Sequence, residues 1–271
     1  MCSVGIILLL FTGVLSGIFS GIFGVSSGIV TVPLLITCFH ILGIIHHPVQ
    51  LAIGTTIAVG TLALASNSFA QRKTFRPNKP LTAYILIGSA CSTILIAMAT
   101  RYLTGHTIKI VFSILVLILP FITMQERISK RQQDFFGHPV TLTLTFCIAN
   151  FVGPAFGIGG GILATPFLKR SGIPLKEAFA NMSFSGTFVL AVLSILYVIL
   201  GWNETLPAYS AGYIYLPAVL LVGIPTIICA KYCTQLRSQL SEKTLKIIFC
   251  VLLTVIGLYM LMHAISLPHV H

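Results

Sequence analysis

Charge is what this sequence has least of, and negative charge above all. Only 8% of the residues are charged, and only five of the 271 are Asp or Glu, against roughly 25% charged residues in an ordinary soluble domain. A soluble enzyme or soluble binding module of this size is excluded, because it would have almost nothing with which to face water. The seven cysteines, Cys2, Cys38, Cys91, Cys147, Cys229, Cys233 and Cys250, show no CxxC spacing, which removes the common zinc and redox frameworks. Buried free thiols are expected. His269 and His271 on the terminal tail are too few ligands for a specific metal site, and no cofactor is expected.

What is present is apolar. Hydrophobic residues make up 56% of the chain and mean hydropathy is +1.01. Apolar segments run at about 4–20, 28–45, 50–70, 81–100 and 107–124, and a second set at about 139–156, 158–168, 175–200, 211–230 and 244–264. Most are long enough to cross a hydrocarbon layer about 30 Å thick. The stretch Met1 to Ser20 has no basic residue ahead of it and reads as a retained first helix, not a cleaved leader. The net charge of +11 is scattered through short connectors, a pattern that sets membrane orientation and excludes nucleic acid as a partner.

Residues 4–45 as one helix would extend roughly 60 Å, so the chain turns back near Gly21 to Gly28. If residues 139–168 also reverse, every Lys and Arg except Arg101 and Lys109 falls on one side of the membrane; if they do not, the bias disappears. The bias favours ten segments, basic loops in the cytosol and both termini outside the cell (inner) membrane. Five segments per set is odd, so the second set enters with opposite orientation. The fold class expected is an all-α integral membrane protein: an inverted repeat of two five-segment halves, each beginning with a glycine-broken helical hairpin. Residues 1–124 form the first repeat, 125–138 a cytosolic connector and 139–271 the second repeat.

The repeat is visible in the residues. Gly24-Val25-Ser26-Ser27-Gly28-Ile29 through Pro33 and Leu35 aligns with Gly157-Ile158-Gly159-Gly160-Gly161-Ile162 through Pro166 and Leu168, with five of twelve positions identical. Further on, Pro48, Ala52 and Gly60 match Pro174, Ala178 and Gly186 at the same internal spacing. In these stretches, Gly17 to Leu35 with Pro48 to Gly60 and Gly153 to Leu168 with Pro174 to Gly186, the sequence resembles the TauE/SafE family of membrane permeases. Members of that family carry a glycine-rich break, an apolar run and a Pro once in each half. The resemblance covers nearly the whole chain and implies export of sulfite, organosulfonates or related small anions. The first copy departs from the glycine run by reading Ser26-Ser27, so the resemblance speaks more to fold than to cargo.

Consecutive glycines weaken a helix by roughly 1 kcal/mol each relative to Ala and let backbone approach a ligand. Each break leaves N–H donors at the next helix start, which must be satisfied at membrane depth. Two inverted copies bring two such termini toward the midplane, where a small oxyanion fits between them. Hydroxyls of Ser26, Ser27 and Thr31 beside Gly28, and Thr165 beside Gly159, Gly160 and Gly161, supply further donors. The alternative is that these small residues serve close helix packing. A second polar group follows: Thr55, Thr56 and Asn67, then Asn181, Ser183, Ser185 and Thr187, with Thr55 and Asn181 at equivalent repeat positions. Asn150 either caps the second break or bonds between helices.

No carboxylate falls deep in a segment, whereas cation carriers and proton relays usually hold one. The shortage favours an anionic or neutral cargo; the partners expected are a small anion and the lipid bilayer, with a homo-oligomer compatible with the sequence. His40, His46 and His47 near an outer end are either proton-handling or plain interfacial residues. Arg101 and Lys109 either attract anions or snorkel at the interface. The function expected is a permease working by alternating access, not an enzyme; a passive anion channel is the alternative. Gly24 to Gly28 also fits the G-x-S-x-G nucleophile pattern, which would make Ser26 an intramembrane serine hydrolase, but that motif needs a strand before it and a base in reach. Neither is present here.

Overall fold

The computed structural model describes residues 3–23, 27–44, 46–71, 79–124, 175–237 and 241–266, with short pieces between 140 and 147. The segments expected at 139–156 and 158–168, and the connector 125–138, lie wholly or almost wholly outside the described residues. The first half contains α1 (Ser3–Phe23), α2 (Gly28–Ile41), α3 (Pro48–Gln71), α4 (Lys79–Tyr102) and α5 (Gly105–Met124). The second contributes α6 (Leu175–Leu200), α7 (Leu216–Arg237) and α8 (Glu242–Ser266). The only sheet among the described residues is a hairpin of two-residue strands, β1 (Ser210–Ala211) and β2 (Ile214–Tyr215).

The helices are apolar on the outside as well as the inside. Phe11 on α1, Phe69 on α3, Phe121 on α5, Ile195 on α6 and Ile265 on α8 are all well exposed, a surface that water penalises and lipid matches. Five helices, α1, α3, α6, α7 and α8, are long and apolar enough to cross a membrane. By contrast α2 is enclosed, with Ile29, Leu35 and Phe39 completely buried. Its 14 residues rise about 21 Å, short of the roughly 30 Å hydrocarbon layer.

Specific contacts fix the helix directions. Gly13, Gly17 and Gly21 of α1 meet Val222, Thr226 and Ala230 of α7 in that order, so the two helices run parallel. α5 and α8 are antiparallel, with Lys109 beside His263 and Cys250 beside the Pro120 carbonyl. α2 runs parallel to α8, with Thr37 bonded to Tyr259 and His40 stacked near His263. Gly5 packs on Leu42 and Gly105 on Val49, which brings the starts of α1, α3 and α5 to one end of the bundle. The end of α8 lies there too. The end of α5 and the start of α6 lie at the opposite end.

The α1–α7 seam is a three-step glycine stripe of the kind that lets membrane helices approach closely. A Cβ on Gly17 would stand 2.7 Å from both the Thr226 carbonyl oxygen and the Cys229 Cβ. Gly17→Leu is therefore expected to force the helices apart and cost at least about 2 kcal/mol, read as a lower thermal unfolding midpoint in detergent. Gly17→Ala should lie between the two.

α3 and α6 cross antiparallel through reciprocal contacts. Thr61 bonds Ser194 at 3.3 Å and Ser68 bonds Thr187 at 3.4 Å. A Cβ on Gly60 would touch Leu190, and one on Gly186 would touch Leu64. Each contact of a pair maps onto the other by the sequence spacing that relates Gly60 to Gly186.

Three sequence expectations need correction. The segment expected to begin at 211 starts as the β-hairpin, and helix begins only at Leu216. Gly212, at φ +52°, makes the tight turn, and the Tyr213 carbonyl backs onto Gly54. Lys109 does not snorkel: only 8% of it is exposed. Among the described cysteines all thiols are free, yet only Cys38 is fully buried.

Candidate functional site

Of the residues expected to hold a ligand, Ser27, Gly28, Thr31, Thr55, Thr56, Asn181 and Ser185 are described; Ser26, Gly159, Gly160, Gly161 and Thr165 lie outside the described residues. The first break opens α2 without a side-chain cap. Ser27 sits at the N-cap with helical φ and ψ, and its hydroxyl makes no cap hydrogen bond. Its carbonyl instead accepts the Val30 and Thr31 amides and the Thr31 hydroxyl, each at 2.9 Å. Thr31 also meets the Ser16 hydroxyl of α1 at 2.8 Å. Ser16, Ser27 and Thr31 are buried, so a knot of hydroxyls ties α1 to the first turn of α2 inside an apolar bundle.

The second polar group divides in two. Thr55 accepts the Tyr215 amide at 3.0 Å, which pins the hairpin to α3, while the buried Thr56 hydroxyl has no hydrogen-bond partner among the described residues. On α6 the Asn181 side-chain oxygen accepts the Thr82 hydroxyl at 2.9 Å, and Ser185 donates to the Asn181 carbonyl at 2.6 Å. Thr55 and Asn181 hold equivalent repeat positions but do not meet. Gly54 packs on Tyr197, which lies roughly 24 Å along α6 from Asn181 at 1.5 Å per residue. One small ligand cannot touch both.

The Thr55 bond carries a testable consequence. In Thr55→Val the Tyr215 amide loses its acceptor in a buried setting, at a cost of about 1–3 kcal/mol. A lower unfolding midpoint for Thr55→Val, restored by Thr55→Ser, is expected.

Residues not foreseen also contribute. A small cleft of about 130 Å³ between α3 and α6 is lined by Ala65, Ser68, Phe69, Phe184, Thr187 and Phe188. Its hydroxyls were legible as polar positions; its Phe walls look in sequence like any lipid-facing aromatic. At one end of the bundle His47 pairs with Glu204 at 3.4 Å and lies edge-on to Tyr213, which joins the α2–α3 loop to the hairpin. Among the described residues no group of His, Cys, Asp and Glu could hold a metal ion. Among the described residues the buried polar side chains are hydroxyls, one amide and one lysine, with no carboxylate among them.

An apolar-skinned helical bundle with polar groups buried along its interior helices is a multi-pass integral membrane protein. The family model for the sulfite exporter TauE/SafE matches residues 9–260, and the chain belongs to that family of membrane transporters. It is 27% identical to a probable membrane transporter protein of Haemophilus influenzae, over 94% of this chain and 97% of that one. It is 28% identical to a probable membrane transporter protein of Methanocaldococcus jannaschii, over 94% and 95%. A sulfite exporter TauE/SafE family protein of Arabidopsis thaliana shares 39% identity over 74 residues, 27% of this chain and 16% of that one. No solved structure matches the chain significantly.

Proposed function

We propose that this transporter carries a small oxyanion, sulfite, an organosulfonate or a related ion, and is not an enzyme. The ion binds near the membrane midplane at the helix starts that follow the two glycine-rich breaks. It crosses by alternating access of two inverted halves in the cell membrane, with basic loops in the cytosol and both termini outside. The observation that carries this reading is the character of the buried polar groups: among the described residues hydroxyls gather at the first break and on α3, an amide stands on α6, and no carboxylate accompanies them. Such a lining offers donors to an anion and lacks the carboxylate that a cation carrier usually holds.

The reciprocal contacts of α3 with α6 support the inverted repeat. The separation of Thr55 from Asn181 refines the site: these residues flank opposite approaches, and the breaks themselves hold the ion. Ser27, Gly28 and Thr31 with Ser26 form one half of the cradle, and Gly159, Gly160, Gly161 and Thr165 the other. Thr56 and Ser185 line the routes in and out. Efflux of labelled sulfite from proteoliposomes, with sulfate and a sulfonate as competitors, tests the reading. Saturable efflux competed by one of these anions is expected, and no flux in folded, inserted protein sinks the sulfur-anion assignment.

A further inference from the structure

We infer a second oxyanion site, formed by Lys109, His263 and His40 at the end of the bundle where α2 and α8 finish and α5 begins. Lys109 lies in the second turn of α5, His263 in the last turn of α8 and His40 next to the last residue of α2. The site is separate from the first glycine break, because His40 is roughly 20 Å along α2 from Ser27 at 1.5 Å per residue. It does not depend on the transport proposal.

The argument rests on an ammonium that is buried and undercompensated. Lys109 is more than nine-tenths buried, at 8% exposure. Among the described residues its Nζ has one polar contact, His263 Nδ1 at 3.4 Å, whereas an ammonium carries three donors. The groups facing it are themselves basic or neutral. The His40 and His263 rings lie 5.5 Å apart, and Tyr259, 6.1 Å from the His263 ring, has its hydroxyl bonded to Thr37. Among the described residues the only carboxylate in an ion pair is that of Glu204, and its partner is His47. A buried cation without a counter-ion is costly.

An oxyanion resolves the mismatch. It offers several acceptor oxygens, enough to take the remaining Lys109 protons and ring N–H groups from His263 and His40 at once, in short charge-assisted bonds. His40 is exposed, so the group is open on one side while the ammonium forms its floor. Two sources share this chemistry: a dissolved ion such as sulfate or sulfite, and the phosphate of an anionic lipid, since helix ends lie near headgroup depth.

The test uses the full chain purified in a neutral detergent. Sulfate is titrated while the unfolding midpoint is followed, and phosphatidylglycerol is added in a parallel arm with bound lipid counted by native mass spectrometry. Binding in either arm is expected, and Lys109→Gln should weaken it by about tenfold or more. Lys231→Gln, an exposed lysine on α7, should leave it unchanged. If Lys109→Gln does not fold, His40→Gln and His263→Gln, which lie at the open side, are expected to weaken the same binding. Sulfate binding without lipid retention names a dissolved ion; the reverse names a headgroup. No binding in either arm, or binding that survives all three substitutions, overturns the inference.

Discussion

Gly54→Leu is expected to yield little folded protein, and Gly54→Ala to lower the unfolding midpoint by roughly 10 °C, a cost near 3 kcal/mol. Gly54 sits mid-turn in α3 directly beneath the Tyr213 carbonyl, with the Tyr197 ring 3.0 Å from where a Cβ would stand. The obstacle is backbone, which cannot swing away as a side-chain tip can. Neighbouring contacts hold that backbone in place: the Tyr215 amide is bonded to Thr55, the Tyr213 amide to the Tyr197 carbonyl, and Gly201 and Gly212 admit the hairpin against Val198 and each other. Any side chain at position 54 must lever out a buried hairpin. Size-exclusion profiles and thermal unfolding in detergent measure this without reference to cargo.

Gly160→Leu should behave in the opposite way, leaving a folded protein that does not transport. In the proposed function Gly160 contributes its backbone N–H and an open approach to the ion, and a leucine side chain there fills the cradle and holds the ion off the N–H groups around it. Loss of two hydrogen bonds to a charged ligand, at about 1.5–3 kcal/mol each, corresponds to at least roughly a hundredfold fall in sulfite flux. Ser26→Ala should reduce flux by a smaller factor, since it removes one hydroxyl and no backbone donor. A hydrolase using Ser26 would show the reverse order. Gly160→Leu with unaltered flux would place the ion elsewhere.

The helices were legible because a membrane span needs both length and apolar composition, and neither is ambiguous here. The expected segments 50–70, 81–100 and 175–200 agree with α3, α4 and α6 within a few residues. The pairing of Gly60 with Gly186 was legible as well, since a glycine at a helix crossing leaves its mark at both positions. The hairpin was not: Tyr213-Ile214-Tyr215 continues the apolar pattern of α7, and two-residue strands are too short to show a period of two. The Gly13-Gly17-Gly21 stripe was not foreseen: only Gly21 was read, as the start of the chain reversal, because a glycine near a break serves packing and reversal alike. Lys109 misled for a physical reason. A lysine near a helix end normally reaches water, and only the approach of α2 and α8, brought together by tertiary packing, encloses it.

Within the candidate site the type of residue was legible and the distances were not. Thr55 and Asn181 match by repeat position, yet each lies near the start of its helix, and the antiparallel packing of α3 and α6 sends those starts to opposite ends. The first break shows the same limit. Ser27 and Thr31 were expected as ligand donors, and the structure adds that Thr31 already bonds Ser16 and the Ser27 carbonyl. Its hydroxyl orders the break as much as it can serve an ion.

Counterflow tests the central claim most directly. Proteoliposomes are preloaded with unlabelled sulfite, diluted into a trace of labelled sulfite, and the label inside is followed with time. A carrier with one central site exposed alternately to each side predicts a transient accumulation of label above its equilibrium level, absent in Gly160→Leu vesicles. Monotonic equilibration without an overshoot, in protein that does pass sulfite, would contradict alternating access and describe a channel.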